Sequence, residues 1–71
     1  MTAQEVLKVA KSVAVDHDWP WIEPVQTTKH QPLLRPAFWR LRTNFNQRGS
    51  NVCVEIDDVT SSIIKAVFCP R

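Results

Sequence analysis

Asn51-Val52-Cys53-Val54-Glu55-Ile56-Asp57-Asp58-Val59-Thr60-Ser61-Ser62-Ile63 is the stretch from which the architecture follows. Val52, Val54 and Ile56 alternate with Cys53 and Glu55, the period-two pattern of a strand with one face toward a core. Asp57 to Ser61 then reads as a turn, because an Asp that opens a turn and a Thr inside it can bond the turn's own backbone. Ile63 to Cys69 is the next strand, and its register is open. Ile64, Ala66 and Phe68 form an apolar face with Lys65 outside, which is the favoured set. Placing Ile63 and Val67 inward instead would turn Lys65 toward the core, at a cost in desolvation. A one-residue bulge chooses between them, since a slip of one flips every side chain.

Upstream, Asn44 to Ser50 holds the only glycine, Gly49, and reads as a hairpin turn. Ala37 to Thr43 alternates as a strand, with Trp39 and Leu41 on one face and Phe38, Arg40 and Arg42 on the other. His30 to Pro36 is a loop between prolines, carrying the Leu33-Leu34 pair. Trp21 to Thr28 is interrupted by Pro24, which a central strand would not tolerate, so it is an edge strand or an irregular lead-in. At the start, Thr2-Ala3-Gln4-Glu5 fits a capping box. Ala3, Val6, Leu7, Ala10, Val13 and Ala14 recur at helical spacing, predicting a helix over residues 3–16 that ends before Pro20. The expectation is one α+β domain over residues 1–71. Its order is α-β-β-β, with one N-terminal helix on a three-stranded antiparallel sheet and room for a short extra edge strand at 21–28.

The motifs Trp39-Arg40-Leu41 and Val52-x-Val54-x-Ile56-Asp57-x-x-Thr60-Ser61-x-Ile63, after an alanine-containing helix, resemble the PepSY and PepSY-like small domains. Ser61 stands where that family has a turn glycine, a residue that takes the left-handed conformation cheaply. The resemblance implies a domain that binds or inhibits a partner, often a protease, rather than a catalyst. It also implies an extracytoplasmic or membrane-attached setting.

The residues themselves point elsewhere for location. Met1 to Glu5 shows neither a basic region nor an apolar run of the secretory kind. No apolar stretch approaches the roughly 20 residues that span a bilayer. Two cysteines, Cys53 and Cys69, are not a disulfide framework. A cytoplasmic protein with reduced thiols and no membrane partner is expected.

Chemistry-bearing clusters are sparse. Asp16-His17-Asp18 points in different directions at a helix end and reads as a solvated terminus where His17 favours the dipole. His17, His30, Cys53 and Cys69 lack the short ligand spacings of structural zinc. No nucleophile elbow or glycine-rich phosphate loop occurs. Catalytic, metal and cofactor sites are therefore not expected. Trp19, Trp21 and Trp39 read as core supplements, each ring covering a large apolar area in a domain whose core is thin.

A net charge of +2 does not by itself demand a polyanion, but no acid occurs between Glu23 and Glu55 while Lys29, Arg35, Arg40, Arg42 and Arg48 do. One helix covers one side of the sheet. Phe38, Arg40, Arg42, Arg48, Cys53 and Val67 are thereby the candidate interaction surface, for a protein partner or a second copy of the chain. The alternative is single-stranded nucleic acid, for which interleaved aromatic and basic residues are suited. The Leu33-Leu34 loop could instead fold over that face.

Overall fold

The computed structural model describes residues 1–70. Helix α1 runs Ala3–Asp16, the predicted span, and is followed by strands β1 (Val25–His30), β2 (Phe38–Thr43), β3 (Asn51–Asp57) and β4 (Ile63–Cys69). The strands form one antiparallel sheet in the order β1-β2-β3-β4, so each pairs with its neighbour in sequence. The sheet thus has four strands where three were expected with room for a short extra edge strand at 21–28. The fourth is β1, at one edge. Pro24 lies just before it and Pro32 beyond it, so neither removes a donor from the ladder. Its Val-Gln-Thr-Thr-Lys-His sequence lacks apolar alternation because an edge strand is only half covered.

The helix begins as its sequence dictates. The Glu5 amide donates to Thr2 Oγ1 at 3.3 Å, and the Thr2 amide donates to Glu5 Oε1 at 2.9 Å, closing a capping box. Its end is a Schellman arrangement rather than a simple fray. The Trp19 amide donates to the Ala14 carbonyl at 2.8 Å and that of Asp18 to Val15 at 3.1 Å, with Asp18 left-handed at φ 57°. His17 Nδ1 lies 3.0 Å from the Val13 carbonyl oxygen, and its ring stacks on Trp19 at 4.4 Å.

Val6, Ala10, Val13 and Ala14 are buried from the helix, against Leu41, Val52, Val54 and Ile56 from β2 and β3. The small residues on this stripe let α1 lie close over β1, β2 and β3. It lies less closely over β4. There Trp19 takes over, stacked 6.0 Å from Phe68, and Trp21 and Trp39 pack against the same core. All three tryptophans therefore extend the core, as their number in a short chain suggests.

The register of β4 contains parts of both readings. Val52 pairs with Phe68, Val54 with Ala66 and Glu55 with Lys65, but Ile56 pairs with Ile63. Ile64 is the extra residue of a bulge. Ala66 and Phe68 face the core with Lys65 outside, as favoured. Ile64 departs from that set and stands 55% exposed beside Phe38 and Arg40 on the opposite face.

The β3–β4 turn is held by the residues that its sequence singled out. Asp57 Oδ1 accepts from the amides of Val59 at 2.8 Å and Thr60 at 2.9 Å, and Thr60 Oγ1 accepts from Ser62 at 3.3 Å. Ser61 sits at φ 61°, in the left-handed region where a Cβ is unfavourable. Replacing Ser61 by glycine removes that penalty. We expect Ser61→Gly to raise stability by about 0.5–1 kcal/mol, and the midpoint by roughly 2–8 °C in thermal denaturation. An unchanged or lower midpoint would show that the turn holds no such strain.

Candidate functional site

The face of the sheet turned away from α1 is formed by alternate residues: Thr28 and His30 of β1, Phe38, Arg40 and Arg42 of β2, Cys53 and Glu55 of β3, and Lys65 and Val67 of β4. Across its β2–β4 half runs an open depression of about 490 Å³, lined among others by Arg40, Arg42, Arg48, Cys53, Glu55, Lys65 and Val67. Five of the six expected surface residues thus come together. The sixth, Phe38, lies in a smaller neighbouring recess with Arg35, Arg40, Glu55 and Ile64.

Arg48 arrives from the β2–β3 turn, and one buried side chain explains how. Asn51 Nδ2 donates to the carbonyls of Thr43 at 2.7 Å and Asn44 at 2.9 Å, while its Oδ1 accepts from the Gly49 amide at 2.9 Å. Gly49 adopts φ 89°, which lets the turn fold back toward the sheet. Thr43 Oγ1 accepts from the Val52 amide at 2.8 Å, closing the same corner. Arg42 Nη2 reaches Asn51 Oδ1 at 3.4 Å, at the long limit of a hydrogen bond.

Charge on this face is unbalanced. Arg40 pairs with Glu55 at 3.2 Å, but Arg42, Arg48 and Lys65 make no ion pair among the described residues. Lys65 escaped the sequence reading because the basic block between Glu23 and Glu55 does not contain it; only the β3–β4 pairing brings it alongside. Aromatic groups are less available than the sequence suggested. The Phe38 ring is stacked by His30 at 5.1 Å and approached by the Arg40 guanidinium at 5.8 Å.

The Leu33-Leu34 loop does not cover this face. The two side chains are 97% and 92% exposed, and the depression stays open. Cys53 and Cys69 are free thiols on this face. Burial pushes the Cys53 thiol up and the neighbouring Cys69 adds to it, while Arg42 and Lys65 pull it back. Among the described residues no three His, Cys, Asp or Glu side chains converge as metal ligands, and no helix is long and apolar enough to cross a membrane. Comparison of the chain with protein-family models, with curated proteins and with solved structures finds no match.

The rim of the face is tied to the turn by two carboxylates. Amide donors from Thr60 and Val59 hold Asp57 below the usual carboxylate range. Asp58 is lowered chiefly by the Trp39 indole N–H, which donates to its Oδ1 at 2.6 Å, and further by Lys29, 3.4 Å away. A depressed folded-state pKa means that the unfolded chain binds protons first as pH falls. The stabilisation is therefore complete above about pH 4 and is lost as pH drops through the lower folded values. Urea midpoints measured from about pH 6 to about pH 2 should fall on the acid side, and Asp58→Asn should flatten that limb. Equal acid limbs in both proteins would remove Asp58 from the account.

Proposed function

We propose that this chain is a non-catalytic interaction module that docks a protein partner, or a second copy of itself, on the sheet face not covered by α1. The observation that carries the reading is the convergence of Arg40, Arg42, Arg48, Cys53 and Val67 around one open depression on that face. A half-covered sheet leaves such a surface available, and exposed concave patches of this kind commonly serve recognition. The resemblance to PepSY-like domains, which bind partners rather than catalyse, points the same way. We place the protein in the cytoplasm, where free thiols such as Cys53 and Cys69 persist.

A second reading is single-stranded nucleic acid held by the basic face, favoured by cations of β2, the β2–β3 turn and β4 around the same depression.

Site-specific photo-crosslinking separates these. With the photoreactive residue at Val67, the adduct is expected to be a protein, either another chain or a copy of this one. The same probe at Lys8, on the helix side, should give little. Adducts formed mainly at Lys8 would overturn the docking face, and nucleic-acid adducts at Val67 would replace the first reading by the second.

A further inference from the structure

The cations around the depression spring from backbone positions spread across the sheet. Arg40 and Arg42 are alternate residues of β2, hence about 7 Å apart along the strand. Lys65 faces Glu55, which itself faces Arg40, so it lies two strands or about 10 Å across the sheet. A single phosphate calls for donors from one small patch, and these start from positions spread over about 10 Å of sheet. The spacing along β2 instead matches alternate side chains of an extended polypeptide, which repeat every 7 Å or so on one side.

We infer that the occupant of this face is an extended acidic segment of another protein, with carboxylates at alternate positions opposite Arg40, Arg42 and Arg48 and reaching Lys65. The inference rests on the reading that the uncovered face is the docking face, and it excludes the other occupants on two grounds. A two-fold dimer would press this patch against itself. Arg40, Arg42, Arg48 and Lys65 would be brought against the same cations of the second copy, with Glu55, among the described residues, the only acid lining the depression and already paired to Arg40. A nucleic-acid strand has phosphates at a similar spacing but gains much of its affinity from bases stacked on aromatic faces. Among the described residues no aromatic ring lines the depression, and the nearby Phe38 is already stacked by His30 and approached by Arg40. Val67 and Cys53 between the cations supply the apolar floor on which the intervening side chains of a peptide can rest.

The test is fluorescence anisotropy with three probes: a short peptide with glutamate at every second position, a peptide of the same composition with its glutamates in one block, and oligothymidylate of matching length. Wild-type protein should bind the alternating peptide more tightly than the other two. Raising salt from about 10 mM to about 150 mM shrinks the Debye length from about 30 Å to about 8 Å and should weaken that binding severalfold. Arg42→Glu/Lys65→Glu should reduce affinity about ten-fold or more, and Arg42→Gln/Lys65→Gln should reduce it less. Lys8→Glu/Lys11→Glu changes the net charge by the same amount on the helix side and should stay within about two-fold of wild type. Circular dichroism of each variant guards against loss of fold.

Three results would overturn the inference: no alternating-peptide binding by the wild type, tighter binding of oligothymidylate, or a sedimenting dimer abolished by Arg42→Glu/Lys65→Glu. Protein adducts at Val67 combined with no acidic-peptide binding would sink the acidic segment alone and leave the docking face standing.

Discussion

A helix can bury only one face of a sheet, and this chain has a single helix. Everything distinctive about the molecule follows from that constraint. The apolar stripe of α1, built from Val6, Ala10, Val13 and Ala14, is just wide enough to cover the central pair of strands, whose Leu41, Val52, Val54 and Ile56 are fully buried beneath it. At the β4 flank, which the helix covers less closely, Trp19 stacks on Phe68. The opposite face is left open by the helix and carries arginine and lysine around Cys53 and Val67.

Two polar devices hold the ends of the meander. At one end the buried Asn51 satisfies the carbonyls of Thr43 and Asn44 and the amide of Gly49, so that the long β2–β3 turn is folded back as a unit. A buried amide is an expensive group unless its donors and acceptor are engaged, and here they are. At the other end Asp57 bonds the β3–β4 turn, and Asp58 joins it to β1 and β2 through Lys29 and Trp39. These corners set the frame from which the basic side chains project. Arg48 owes its place at the depression to the first of them.

The fold and the surface differ in how local their causes are. The helix was legible to the residue because its capping box, stripe and end lie within one continuous segment. The β2 and β3 strands were legible because each alternates between a face that is buried or half-buried under the helix and one that is more exposed. β1 was legible only as a possible edge strand after Pro24, since Gln26, Thr28 and Lys29 are exposed and carry no apolar signal to fix its bounds. For the surface, Phe38, Arg40 and Arg42 were placed correctly by strand alternation alone, and Cys53 by the same argument.

By itself the sequence determined which residues of β2 and of β3 share a face, where the helix starts and stops, and which residues close the β3–β4 turn. These depend on contacts within a few residues. Only the tertiary structure decided that β1 joins the sheet, that a bulge sends Ile64 to the open face, and that Lys65 stands beside the arginines. It also decided that the Leu33-Leu34 loop leaves that face bare. Each of these is a matter of pairing between distant segments, where a shift of one residue costs little locally and reverses every side chain along the strand.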